Sequence, residues 1–522
     1  MSAMYPAAID RAPMFRVSLI LEALRARPAL MFWVAALAQG ALWTLVPSLF
    51  YAAPPGDVPL VLAVGNEWVL GSPYGPPLAY WLANIAHTLA GERVIGIYLL
   101  SQVCVVVTYW AVFSLGRRVV GPAHAAMAIL LMAGISVFTV PTLEFGQSVL
   151  AMPLTALTLL FGFRALADNG RGDWIAAGVS LGLLLLTTYA GFILLALMVL
   201  FVAASAQGRQ RLGSIGPWAA ATIVVVLFFP HLFWLERSGY SPLPMLSALP
   251  NLIVAEKRLM AWANLVLLLL FSHAGLVVLA MVAGGVLAGK RASAPAIERV
   301  PAEAFAKGFV YYFALAPAFV ATLLAVLLER PAPVGGAGPI VVLSGLAVVL
   351  AAGDIIRLYR QRISALVWLG LLVVPPAVIV AATVTLPWTA AVDLEVSKPA
   401  NAMGQFFTET FRRRTGRPLP IVVGDVRTAG LVALASPDRP SVYVDASPVL
   451  APWLSDDAVR EKGAILTWTA TDAAGTPPAA LKARFPDMVA EVPRSFDRSV
   501  QGRLPLLRIG WAMIRPRRSL PQ

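Results

Sequence analysis

Between Met31 and Thr385 the chain is a succession of apolar runs, and that repetition limits what it can fold into. Lipid offers the backbone no hydrogen-bond partners, so a run of about 20 apolar residues crosses a bilayer as a helix. We read eleven runs, at 31–49, 94–114, 123–140, 148–166, 173–188, 190–206, 215–235, 261–288, 305–328, 339–352 and 364–385. Composition agrees: 59% of residues are hydrophobic and 13% charged, with mean hydropathy +0.77. That is about half the charge of an ordinary soluble domain. The expected class is a polytopic α-helical membrane protein. Residues 1–30 are polar and arginine-bearing, with an apolar patch at 17–24 suited to a helix lying on the membrane surface. No cleavable signal peptide is expected there, so the first span serves as the insertion signal.

Basic residues set the orientation, because Lys and Arg gather in cytoplasmic loops. Arg117 and Arg118, Arg171, Arg209 and Arg211, Lys290, Arg291 and Arg299, and Arg357, Arg360 and Arg362 occupy alternate loops. With eleven spans these loops and residues 1–30 share the cytoplasmic side. The first loop, 50–93, and the tail, 386–522, then face the periplasm of a bacterial inner membrane. The net charge of +13 fits this bias and an affinity for anionic lipid. Nothing in it calls for nucleic acid. The single cysteine, Cys104, allows no disulfide, and the four scattered histidines give no metal-ligand spacing.

The tail changes character. Lys398–Arg414 reads as an amphipathic helix. Pro420–Asp425, Ser441–Asp445 and Ala464–Trp468 read as short buried strands separated by helical stretches. A small α/β domain with a partly parallel sheet is expected. Asp425 and Asp445 end two of the strands and read as turn formers. Within 31–385, Thr187–Gly191 looks like a tight turn between two spans, Pro331–Pro339 like a flexible turn, and Pro375–Pro376 like a kink.

Chemistry is expected in the first loop. Pro54–Trp81 holds Asp57 and Glu67, two Pro-Pro breaks, and the aromatics Trp68, Tyr80 and Trp81. Glu144 lies in the second outer loop. A carboxylate just outside a span is placed to serve as general base. Asp57 is the candidate for that role, with Glu67 and Glu144 as supporting carboxylates. Departure of a phosphate needs a cation or a metal. Lys257 and Arg258 are the candidates among the outer cations Arg93, Arg237, Lys257, Arg258 and Arg330. Trp68, Tyr80, Tyr189 and His231 are candidates for lining a substrate cavity. No P-loop is present, and no intramembrane acidic chain suggests a proton relay.

These motifs, taken in order, resemble the GT-C glycosyltransferases. The branch includes protein O-mannosyltransferases, the lipid A aminoarabinose transferase and the Rgt-type lipopolysaccharide galacturonosyltransferases. Pro54-Pro55-Gly56-Asp57 is similar to that branch's Pro-Pro-Leu-Asp-x-x-Glu. Gly65-Asn66-Glu67-Trp68-Val69-Leu70-Gly71 is similar to Trp-Gly-x-Glu-Trp-x-Leu-Gly, and Gly75-Pro76-Pro77-Leu78 to His-Pro-Pro-Leu. Glu144-Phe145-Gly146-Gln147, Leu186-Thr187-Thr188-Tyr189 and Pro230-His231-Leu232-Phe233-Trp234-Leu235 resemble later motifs. In the tail, Pro387–Asp393 and Gly416–Pro420 do so as well. The resemblance implies a polyprenyl-phosphate sugar donor, a periplasmic lipid or glycan acceptor of lipid A or lipopolysaccharide type, and Asp57 as the catalytic carboxylate. No cofactor is certain; a divalent metal is possible.

Three departures stand out: Leu60 where the branch has Glu, Gly75 where it has His, and Thr188 where it has Lys. They define a second reading, a catalytically silent relative acting as an assembly subunit in envelope glycan synthesis. A third reading, a lipid or polysaccharide transporter, is opposed by the large external domain and the missing intramembrane charge.

Overall fold

The computed structural model describes residues 22, 24–240, 255–284, 296–328, 335–359, 361–470 and 472–517. Most of the surface helix expected at 17–24, Lys290, Arg291, Arg330, Arg360 and residues 331–334 of the Pro331–Pro339 turn fall outside them. Helix occupies all eleven apolar runs. Six helices are long and apolar enough to cross a membrane: Pro28–Phe50, Ile95–Val119, Gln147–Asp168, Ile215–Ser238, Ala304–Leu327 and Gln361–Thr389. Three bent pairs raise that to nine. Arg171–Leu185 and Gly338–Ala351 are shorter. The turn at 187–190 separates two helices, as expected. The last long helix passes through Pro375–Pro376 without interruption and runs beyond residue 385 to Thr389.

The run at 123–140 departs from a straight span. Helix Pro122–Met132 breaks and continues as 3-10 turns over Ser136–Leu143, bent by 82°. A second break separates Arg258–Ser272 from Ala274–Gly284, bent by 43°. The two breaks meet. Leu276 N donates to Gly134 O at 3.1 Å, and a Cβ on Gly134 would lie 2.6 Å from Gly275 C. A broken helix frees backbone polar groups, and in lipid these need partners nearby. Here each break supplies them to the other, through two glycines that let the backbones touch.

The basic loops collect at one end of the bundle. Arg118 pairs with Asp168, and Arg211 donates to Leu166 O and Ala167 O at 3.0 and 2.9 Å. At the same end Ala296–Glu298 (β1) and Ile355–Arg357 (β2) form a two-stranded antiparallel sheet.

The opposite end carries the first loop and the tail domain. The tail sheet comprises Ile421–Gly424 (β3), Ser441–Val444 (β4), Ala464–Thr469 (β5), Val489–Phe496 (β6) and Leu507–Ile514 (β7). Their order is β4-β3-β5-β7-β6, with β4, β3 and β5 parallel and the rest antiparallel. All four residues of β3 are buried, as a central parallel strand requires. Val422 and Ile465 pack under helix Ala400–Thr415 through Phe407 and Phe411. Val423 and Leu466 face the other layer, with Val459 and Phe485.

The first loop is not a free loop. It folds into helices Val58–Asn66 and Leu78–Leu89. Pro59 at the start of the first presets φ for helix entry. This short helix is covered on both sides. Val58, Val61, Leu62 and Val64 belong to the core of the bundle. Leu60 and Ala63 pack against the core of the tail domain, and a Cβ on Gly430 would lie 3.0 Å from Pro59. Backbone bonds from Ala52 N and Ala53 N to Val396 O, at 2.9 and 3.1 Å, close the joint.

Leu60 is half-buried between the cores of the bundle and the tail, so a carboxylate at position 60 would lose its apolar contact with both. Leu60→Asp is expected to weaken docking of the tail by about 2 kcal/mol or more. Limited proteolysis of the connector at 390–398 would read it: faster cleavage than in wild type is expected, with the bundle intact.

Candidate active site

Two carboxylates meet where the first span ends. Gly56 has φ +57°, in the left-handed region, and turns the chain after Pro54-Pro55. Asp57 follows at the N-cap of helix Val58–Asn66, yet its side chain makes no capping bond and is exposed. The Glu144 carboxyl packs on Gly56, where a Cβ would lie 2.4 Å from its Cδ. A side chain at position 56 would drive the second carboxylate away from the first.

The surroundings of Glu144 favour its protonated form. Partial desolvation, then the charges of Asp57 and Glu395, hold the Glu144 carboxyl above the usual 4.5, against the pull of Arg427. Arg427 in turn pairs with Glu395. Burial, then Glu144, pushes the nearby Tyr51 phenol up to about 12.

Beside them lies a hydrogen-bonded knot. Gln147 Nε2 donates to Tyr74 O and to Tyr80 Oη, both at 3.1 Å. Tyr80 is 5% exposed, and burial is the first cause of its raised phenol pKa. Gly75 (φ +132°) closes a tight turn with Ser72, and its missing side chain leaves room for the Gln147 carboxamide, 2.3 Å from where a Cβ would stand.

Across from this knot the carboxyl ends of β3, β4 and β5 border a cavity of about 560 Å³, lined by Asp425, Asp445, Thr467, Trp468 and Arg484. It opens where chain order reverses about β3, the position at which α/β sheets hold ligands. Asp425 is committed locally, accepting from Arg427 N and Thr428 N at 3.0 and 2.9 Å. Burial, then the charge of Asp425, raises the Asp445 carboxyl. Asp445 in turn is a secondary cause of the Tyr74 phenol rising to about 12, after burial.

The remaining expected residues take other places. Glu67 sits at the far end of its helix, bonded to Ser441 of the tail, and burial raises its carboxyl. Its side chain thus faces the tail domain from the opposite end of the helix to Asp57. Trp68 is 53% exposed and stacks on Trp81 with ring centroids 6.4 Å apart, so it faces outward. His231 Nδ1 donates to Leu70 O at 2.9 Å, and in the neutral ring Nε2 then accepts from Tyr189 Oη at 2.9 Å. Tyr189 and His231 thus tie the spans to the first loop. Arg258 lies in the first turns of helix Ala255–Ser272, and the Lys257 side chain falls outside the described residues. Thr188 lines an apolar cleft with Thr155, Leu184, Leu194 and Pro317. Arg427 escaped the sequence reading, because it reaches the site from the tail and no local pattern marks it, while Gln147 was seen only as part of the Glu144–Gln147 motif and not as a site residue. Among the described residues no three His, Cys, Asp or Glu side chains are grouped to hold a metal ion.

Comparison with known proteins finds partial likenesses in sequence and a fuller one in fold. The dolichyl-phosphate-mannose-protein mannosyltransferase family matches residues 74–234, a segment that starts after Asp57 and ends at Trp234. The lipopolysaccharide core galacturonosyltransferase RgtB of Rhizobium johnstonii is 26% identical over 182 residues. That match covers 33% of this chain and 36% of RgtB, so about a third of each. ArnT from Cupriavidus metallidurans bound to undecaprenyl phosphate superposes with TM-score 0.59 at 12% identity, covering 95% of this chain and 99% of ArnT. The likeness to ArnT is one of fold, over nearly the whole length of both chains. The apo form of the same ArnT aligns over equal shares at TM-score 0.48 and 14% identity. The three departures have local partners in the structure: Leu60 packs between bundle and tail, Gly75 admits Gln147, and Thr188 lines the apolar cleft.

The folded chain binds the Glu144 proton more tightly than an unfolded chain with the ordinary value of 4.5. This group's contribution therefore falls as pH rises from 4.5 through its raised value. Glu144→Gln is expected to remove that step. Thermal unfolding followed from about pH 4 to pH 7 would show a flatter profile in the variant than in wild type.

Proposed function

We propose that this chain is an inner-membrane glycosyltransferase that moves a sugar from a polyprenyl-phosphate donor to a periplasmic lipid or glycan, with a lipopolysaccharide-type acceptor favoured. The observation that carries the reading is Asp57: an exposed, uncapped carboxylate at a span end, beside a second carboxyl, Glu144, and with Arg427 of the tail close to that pair. The undecaprenyl phosphate in the ArnT structure and the lipopolysaccharide core named for RgtB support the donor and acceptor classes.

In this mechanism the lipid chain of the donor enters along the apolar cleft beside Thr188. Asp57 takes the proton of an acceptor hydroxyl as its oxygen attacks the anomeric carbon. The bond from that carbon to the phosphate oxygen breaks, and polyprenyl phosphate leaves with the electron pair. Attack from the side opposite the phosphate inverts the anomeric centre. Arg427, Arg258 or Lys257 steadies the departing phosphate, since a cation there stabilises charge that develops only in the transition state. The acceptor lies across the tail cavity, where Asp445 and Trp468 offer a hydroxyl acceptor and an apolar face. The first loop and tail are assigned to the periplasm because the basic loops gather at the other end.

Asp57→Asn keeps the shape and removes the base. Transfer is expected to fall on the order of a thousandfold. Mass spectrometry of envelope glycolipids, in a strain lacking the protein and complemented with wild type or the variant, would read this. Loss of one sugar mass, restored by wild type alone, supports the assignment. Full restoration by Asp57→Asn would favour the silent-subunit reading.

A further inference from the structure

The end of the bundle opposite Asp57 carries a second cleft, of about 770 Å³. Its walls come from the loop 117–124, the end of helix Gln147–Asp168, and the turn 298–303. Helix Ile95–Val119 separates it from the first loop by about 37 Å at 1.5 Å per residue. It is therefore distinct from the site described above.

Its buried part is a set of donors without acceptors. The Arg299 side chain is 3% exposed. Nη2 donates to Asp354 Oδ1 at 3.0 Å and to Leu350 O at 3.3 Å. Nε and Nη1 have no partner among the described residues. His124 lines the same cleft, is 1% exposed, and has an unpartnered Nε2. A buried cation with idle N–H groups is expensive, and proteins seldom keep one without a use for it.

The acids nearby do not fill the gap. Asp168 is exposed and pairs with Arg118, and Asp354 already holds one edge of Arg299. Glu298 and Glu303 are exposed. Arg117 also lines the cleft, over the Phe113 ring at 5.9 Å. The deep part thus offers donors, while the carboxylates stand outside in water.

We propose that this cleft binds a phosphate group. The fork of Nε and Nη1 on Arg299 suits two oxygens of one tetrahedral anion, His124 Nε2–H serves a third, and Arg117 adds charge. The cleft lies at helix ends, at the depth where phospholipid headgroups sit, and basic pockets between spans hold such headgroups. A soluble phosphate offers the same chemistry. The proposal does not depend on the transferase reading.

The test uses the full-length protein in nanodiscs of phosphatidylcholine, with or without phosphatidylglycerol, and native mass spectrometry of the retained lipid. A parallel arm adds inorganic phosphate and follows thermal unfolding. Wild type is expected to retain phosphatidylglycerol preferentially, and Arg299→Gln to lower that retention roughly tenfold. Arg299→Gln also disturbs Asp354, so Arg117→Gln and His124→Leu, which leave that ion pair in place, are run beside it. Each is expected to weaken retention about threefold. Stabilisation of wild type by inorganic phosphate, lost in His124→Leu and without a lipid preference, assigns the site to a soluble phosphate. Absence of both effects in wild type, or equal behaviour of wild type and the Arg117 and His124 variants, overturns the proposal.

Discussion

Helix Val58–Asn66 is the joint on which the rest of the structure depends. It is nine residues long, too short to be stable alone, and its burial on two sides replaces what its own hydrogen bonds lack. Val58, Val61 and Val64 lock into the bundle, while Leu60 and Ala63 lock into the tail. A single rigid element therefore sets where the tail sheet sits over the bundle. The carboxyl ends of its strands come to rest near Asp57, and Glu67 at the other end of the same helix bonds Ser441 at the start of β4.

Asp57 and Asp425 both precede helices, and their contrast shows how a carboxylate can be left available. Asp425 accepts two backbone amides, as an ordinary N-cap does. Asp57 stands at the same position in its helix and accepts none. Pro59 explains part of this, because proline early in a helix removes one of the amides that a cap would serve. The local fold leaves the Asp57 carboxylate uncommitted.

Much of the fold was legible because its signals are local. Apolar run length marked the bundle helices, and β-branched runs bounded by turn residues marked β3, β4 and β5. Strands β6 and β7 went unread. Val489–Phe496 carries Glu491 and Arg494 and is largely exposed on an edge, so it lacks a clean alternation. β7 is recognisable only through its pairing with β5. The bends at 132–136 and 272–274 were also hidden, because a break stabilised by another break leaves no mark in either segment. The site divides the same way. Asp57 and Glu144 were visible as carboxylates near span ends. Glu67 looked equivalent to them until the direction of its helix was known. Arg427 lies 370 residues from Asp57 in the chain, a distance no pattern spans.

Gly75 and Gln147 bear on how this sequence can change. The carboxamide from the second loop occupies the room that a side chain on the first would need. Neither residue can be judged by itself: a bulky group restored at 75 collides unless 147 shrinks, and a smaller 147 leaves two tyrosines without their shared donor. The two positions form one unit of inheritance. Among relatives of this chain they are expected to vary as a pair, so a missing histidine at 75 records a trade between loops rather than a loss.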